Sequence, residues 1–320
     1  MKLVLMGTGP FAGPAFAALM RHDQHEVLAL ITRPEAPARK GRKGPPPNPM
    51  RQLAESHTVP VHAPDSINSP EAIALLMSLE PDLLVVCDYG QILKPAALAT
   101  APLGGINLHG SLLPKYRGAA PVHWAIWNGD PVTGVTVIHM TPQLDGGPCL
   151  TSAETAIGED ETTEQLEPRL AALGVAPVLE ALELLANHGE GQLGELQDPA
   201  LTTKAPRLTK HDGLLDWALP AERLYCQFRA LQPWPGVYTF APHAKHPIRI
   251  IVQQMRVVSE HDESQPPGAV AYNDSQTLRV ATGRGEIELI RVQPAGKREM
   301  EIAEFLRGHA LPIGTRLGEE

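Results

Sequence analysis

Aromatic side chains supply only 4% of the 320 residues, so Leu, Val, Ile and Ala must fill the core. Cysteine is also scarce. Cys87, Cys149 and Cys226 form no CxxC pair and leave one thiol odd. That argues against a disulfide scaffold or zinc site and for the reduced thiols of a cytoplasmic protein. No stretch approaches the roughly 20 apolar residues of a membrane helix. The apolar start, Lys2–Met6, is too short for a secretory signal. The 13 histidines are scattered and none lies in an HExxH pattern, so no metal is expected.

Charge is unevenly spread. Residues 205–320 are neutral, so the net −9 lies in residues 1–204. Against that balance, residues 33–51 carry Arg33, Arg39, Lys40, Arg42, Lys43 and Arg51 with Glu35 as the single acid. A basic segment on an acidic body is an electrostatic handle for a polyanion. The same segment holds Pro34, Pro37, Pro45, Pro46, Pro47 and Pro49. Such a run fits neither helix nor sheet interior and reads as a long loop, a feature that is often functional.

Around that loop, strand-like runs alternate with helical ones: Lys2–Met6, Phe11–Met20, Glu26–Ile31, Glu71–Glu80, Leu83–Cys87, Ile106–His109 and Val135–Met140. This alternation predicts a doubly wound, mostly parallel sheet with ligands at the carboxyl ends of its strands. Pro168 and Pro177 are expected to kink or split the closing helices. From about residue 187 glycine and proline dominate, then short β-rich runs separated by turns follow and predict a small OB-like β-barrel. The expected division is 1–188, a linker at 189–208, and 209–320. Gly7-Thr8-Gly9-Pro10-Phe11-Ala12 matches the dinucleotide fingerprint after a strand, and Arg33 could address a 2′-phosphate. However, Pro10 removes an amide that a phosphate would need.

The most informative string is Asn107-Leu108-His109-Gly110-Ser111-Leu112-Leu113-Pro114. Strand alternation sends Ile106 and Leu108 to one face and displays Asn107 and His109 on the other. Thr141-Pro142-Gln143-Leu144-Asp145-Gly146-Gly147 then offers a carboxylate after the next strand. An amide, an imidazole and a carboxylate at neighbouring strand ends can stabilise an oxyanion and move a proton. His139 alternates with Val135 and Val137 and reads as structural.

The Asn107-x-His109-x-Ser111-Leu112-Leu113-Pro114 string, followed by Lys115-Tyr116-Arg117-Gly118-Ala119-Ala120-Pro121 and by Leu144-Asp145-Gly146-Gly147, resembles the signature of the folate-dependent formyltransferases. Gly9 stands where that family usually has proline. The later Lys204-Ala205-Pro206-Arg207, Asp216-Trp217 and Pro233-Trp234-Pro235-Gly236 stretches resemble the second domain of the members that act on methionyl initiator tRNA.

The resemblance implies a monomeric cytoplasmic enzyme that moves the formyl group of 10-formyltetrahydrofolate onto the α-amine of methionyl initiator tRNA. It also implies Asn107, His109 and Asp145 as catalytic residues. Ser111, Leu112, Leu113, Pro114 and the backbone of Gln91, Ile92 and Leu93 would border the folate. Arg39, Lys40, Arg42 and Lys43 would grip the tRNA, and the β-rich second domain would add to that contact. Ser111 as a nucleophile is the rival within the same string, although no basic His stands at triad spacing.

Overall fold

The structure is a computed structural model and describes residues 1–35, 48–188, 193–243, 246–258 and 265–318. The chain divides into two compact units. The first comprises 1–121, 132–156 and 165–206, and the second 122–131, 157–164 and 207–320.

In the first unit the strands are β1 (Lys2–Met6), β2 (Glu26–Ile31), β3 (Val61–His62), β4 (Leu83–Val86), β5 (Gly105–His109), β6 (Arg117–Gly118), β7 (Val132–His139), β8 (Cys149–Ala156) and β9 (Lys204–Ala205). The helices are α1 (Gly13–Met20), α2 (Pro49–Ser56), α3 (Pro70–Leu79), α4 (Pro95–Leu98), α5 (Pro121–Asn128, almost wholly in the second unit), α6 (Thr163–Leu173) and α7 (Val175–His188). Local chemistry sets several starts. Asn48 accepts from the Met50 and Arg51 amides before Pro49 opens α2, and Ser69 accepts from Ala72 before Pro70 opens α3.

Seven strands form one sheet in the order β3-β2-β1-β4-β5-β7-β8. From β3 to β5 every pairing is parallel, and the all-apolar β4 is buried on both faces, as a central parallel strand must be. The order reverses between β1 and β4, the crevice where open α/β sheets bind ligands. The expected doubly wound sheet is therefore present, with an antiparallel edge: β7 runs against β5 and β8 against β7. β8 was not anticipated, because its sequence CLTSAETA has few β-branched residues and buries only part of one face.

The stretch 163–187 is long enough for a membrane crossing, and an 18-residue window within it is apolar enough, with a mean hydropathy of 1.5. Here it is divided at Gly174, not at the prolines: Pro168 lies inside α6. A Cβ at Gly174 would stand 2.7 Å from the Leu108 side chain, so glycine at the break lets the chain approach β5. α7 packs on β7 and β8 as a core helix of this unit.

The second unit is built on α8 (Ala221–Ala230) and an antiparallel sheet of β10 (Val237–Ala241), β11 (Ile248–Val258), β12 (Val270–Asn273), β13 (Leu278–Ala281), β14 (Glu286–Pro294) and β15 (Met300–Glu301), followed by α9 (Ile302–Gly308). The sheet order is β10-β11-β14-β13-β12, with β15 beside β14. Inward residues alternate along β10, where Val237, Thr239 and Ala241 are buried and Tyr238 and Phe240 less so.

Candidate active site

β5 buries Ile106 and Leu108 and carries Asn107 and His109 on its other side. Asn107 pairs in register with Val86 of β4 and Ile138 of β7. Its side-chain amide has no hydrogen-bond partner among the described residues. His109 is held differently. Its Nε2 lies 2.9 Å from the Tyr116 carbonyl, which can only accept, so that nitrogen carries the hydrogen. Nδ1 stands 3.8 Å from Asp145 Oδ2. That is beyond hydrogen-bond reach but close enough for the carboxylate to attract a protonated ring.

The path of Asp145 to this place departs from the sequence expectation of neighbouring strand ends. Because β7 is antiparallel to β5, His139 finishes opposite Ile106, at the beginning of β5. Residues 140–148 then fold back and bring Asp145 to His109. The tight return requires glycine: a Cβ at Gly147 would lie 1.7 Å from the His139 carbonyl oxygen. Asp145 itself has φ +48, and its Oδ2 accepts from the Gly118 amide at 2.9 Å. The His109 and Asp145 side chains are 6% and 10% exposed, so salt screens the pair weakly.

The 114–120 segment that supplies Tyr116 O and Gly118 N is itself held from outside. Arg117 and Gly118 pair with Lys204 and Ala205, and the Tyr116 amide donates to Thr203 Oγ1 at 2.8 Å. Tyr116 and Gly118 both have positive φ, and a Cβ on Gly118 would meet the Ala205 carbonyl oxygen at 2.5 Å. Backbone in sparsely populated conformations on both sides of the His109 ring is typical of sites where geometry is imposed by the surroundings.

Among the other residues singled out in the sequence, Ser111 is fully buried and its hydroxyl donates to the Lys115 carbonyl at 2.7 Å. The Thr136 hydroxyl donates to Ser111 O and accepts from Leu113 N. Ser111 thus braces the turn, which removes it as a candidate nucleophile. Leu112, Leu113 and Pro114 are half-buried. Gln91 spends its side chain on the Ile67 amide and the Asp65 carbonyl, Ile92 is 66% exposed, and Leu93 is a core residue. His139 donates to or accepts from no reacting centre; its Nε2 rests 2.9 Å from the Leu103 carbonyl. Arg39, Lys40, Arg42 and Lys43 lie outside the described residues. No group of three or more metal-binding side chains occurs among the described residues.

Sequence reasoning missed two features. One is Gln197, whose side chain contacts the Asp145 turn and whose Gly- and Pro-rich surroundings read only as a linker. The other is Asp88, after β4, with φ +47. Its backbone carbonyl accepts from the Thr8 and Gly9 amides, and a Cβ at Gly9 would overlap its carboxylate at 1.6 Å. Desolvation at this crevice pushes the Asp88 carboxyl up to about 6, although the residue keeps exposed surface. Glu167 is raised too, first by burial and then by the Asp88 charge. Glycine in place of the usual proline at position 9 was the available signal.

The chain belongs to the formyl transferase family: residues 1–182 match the formyl transferase model and residues 207–310 the model of the formyl transferase C-terminal domain. Among its relatives, the methionyl-tRNA formyltransferase of Rhodopirellula baltica is 48% identical across 99% of this chain and 96% of its own length. That of Methylococcus capsulatus is 41% identical across 99% of this chain and all of its own. The crystal structure of an N-formyltransferase from Helicobacter canadensis, in complex with folinic acid and dTDP-3-aminofucose, aligns with a TM-score of 0.62 over 92% of this chain and 99% of its own at 16% identity, a likeness of fold.

Proposed function

We propose that this chain transfers the formyl group of 10-formyltetrahydrofolate to the α-amine of methionyl initiator tRNA. The observation that carries the reading is the buried His109–Asp145 pair beside an uncommitted Asn107 amide, on a chain that parallels methionyl-tRNA formyltransferases over nearly its whole length. The donor supplies an activated formyl carbon; the residues supply the rest. Nδ1 of His109 has no hydrogen-bond partner among the described residues, and in the doubly protonated ring it carries the hydrogen that is donated to the oxygen that becomes negative as the amine attacks. One well-aimed donor of this kind is worth about 3–4 kcal/mol. Asn107 adds a second polar group on the same face, positioning the amine or the oxygen. Asp145 keeps the ring oriented, attracts it when it carries a second proton, and can take up the proton that the amine loses as its nitrogen bonds the formyl carbon; the carbon–N10 bond then breaks and N10 leaves with a proton as tetrahydrofolate.

Ser111, Leu112, Leu113, Pro114 and the 91–93 backbone border the folate in this reading, with Ile92 the exposed apolar contact. Residues 1–188 form the body of the catalytic domain, the stretch read as a linker at 189–208 closes onto it through Gln197 and residues 203–205, and 209–320 form a tRNA-binding domain; Arg39, Lys40, Arg42 and Lys43 add basic contacts to the tRNA. The protein acts as a monomer in the cytoplasm, where translation supplies the substrate.

The direct test incubates the purified chain with 10-formyltetrahydrofolate and methionyl initiator tRNA and separates formylmethionyl ester from methionyl ester. Formylation of the tRNA is expected. Release of formate without product on the tRNA would reassign the chain as a hydrolase.

A further inference from the structure

The Asp145 turn and the 116–118 backbone both end in one side chain that belongs to neither. Gln197 donates both hydrogens of its amide, to the Asp145 carbonyl at 2.8 Å and to the Gly147 carbonyl at 2.7 Å. Its Oε1 accepts from Arg117 Nε at 3.0 Å and from Nη2 at 2.7 Å. Two guanidinium donors on one side and two carbonyl acceptors on the other leave a single possible orientation for the amide, and every bond it can make is made. Arg117 lies between Tyr116, whose carbonyl holds His109, and Gly118, whose amide holds the Asp145 carboxylate.

We infer that Gln197 is a positioning residue for catalysis: it locks the Asp145 turn to the Arg117 segment, fixing the distance and angle between Asp145 and His109. The inference rests on the function proposed above, because it concerns the same pair. Gln197 touches neither member's reacting atoms. Its effect passes through the Asp145 main chain, which sits at φ +48 in a turn built around two glycines. Without the two donated hydrogens, that turn keeps the single Gly118 bond to the Asp145 side chain as its tie to the His109 wall. A displacement of about 1 Å at a reacting group can lower the rate by roughly 10²-fold.

Gln197→Glu tests this with almost no change of volume. A carboxylate still accepts from Arg117 but has no hydrogen for the Asp145 and Gly147 carbonyls. We expect turnover to fall by about 10- to 100-fold with KM for 10-formyltetrahydrofolate within about threefold. In an Asp145→Asn background the same change should lower turnover by less than about threefold, since the residue being positioned is already disabled. Turnover of Gln197→Glu within about threefold of the parent, or equal losses in both backgrounds, would overturn the inference.

A second readout is independent of activity: exchange of the Gly118 amide hydrogen, followed by NMR. That hydrogen is protected by Asp145 Oδ2 and should exchange about tenfold faster in Gln197→Glu, with the β5–β7 amides unchanged. Retained protection counts against the inference even if the wild-type chain formylates no tRNA, an outcome that would refute only the function.

Discussion

His109 sits between an acceptor it already uses and a carboxylate it does not quite reach, and that asymmetry governs what its removal should do. His109→Ala should fold, because the ring's one strong bond is to a carbonyl on the site wall, and turnover should drop by roughly 10²–10⁴. Single-turnover formylation with circular dichroism checks it; a variant within tenfold of wild type refutes the role. Asn107→Ala removes a side chain with no hydrogen-bond partner among the described residues, so the melting temperature should hold while turnover falls. An unchanged rate would make Asn107 a surface amide. At Asp88 a pH effect is expected. A carboxyl held at about 6 against the usual 3.8 means that the folded chain keeps a proton that the unfolded chain loses across that window, so stability falls as pH rises through it. Asp88→Asn should melt like wild type near about pH 4 and above it near about pH 7. Equal melting curves at both values would show that water reaches the Asp88 carboxylate and removes the shift. Asn107 and His109 were legible because strand alternation places them whatever the rest of the fold does. The Tyr116 carbonyl that holds the ring was not, since a main-chain oxygen carries no mark in the sequence.

The elements around the site divide by how local their causes are. β1, β2 and β4 were readable because parallel strands buried on both faces are near-continuous apolar runs, and β5 because its apolar and polar residues alternate. β8 was not, since half of it faces away from the core. The pairing of β6 with β9 joins two-residue strands more than 80 positions apart, and no window of sequence could reveal it. That ladder tolerates no side chain at its closest point. Gly118→Ala adds a methyl group against Ala205 in a backbone region that L residues avoid, so a loss of stability of about 1–3 kcal/mol is expected. Urea unfolding would measure it, and an unchanged midpoint would mean that the 203–205 strand gives way freely.

Over the whole molecule the basic side chains of residues 33–51 stand against an acidic remainder. Replacing Arg39, Lys40, Arg42 and Lys43 by Ala should weaken tRNA binding and leave folate affinity alone. Each lost phosphate contact should flatten the slope of log K against log salt by about 0.9 for duplex RNA-like contacts. Titrations at several salt concentrations separate this from base recognition, which would lower affinity at constant slope. The division into two units was visible as a change from alternating strands and helices to short β runs. Helix α5 and residues 157–164, which join the second unit, gave no compositional sign of doing so.

The wall formed by residues 197–205 has a consequence for the newborn chain. His109 and Asp145 leave the ribosome early, along with nearly all of the large sheet, yet the strand that braces Tyr116 and Gly118 follows only after α7 has been made. A nascent polypeptide stopped at the end of α7 would hold every reacting group of the proposed mechanism and none of the outer support. The geometry of the site should therefore be completed late in synthesis, only once residue 206 has emerged.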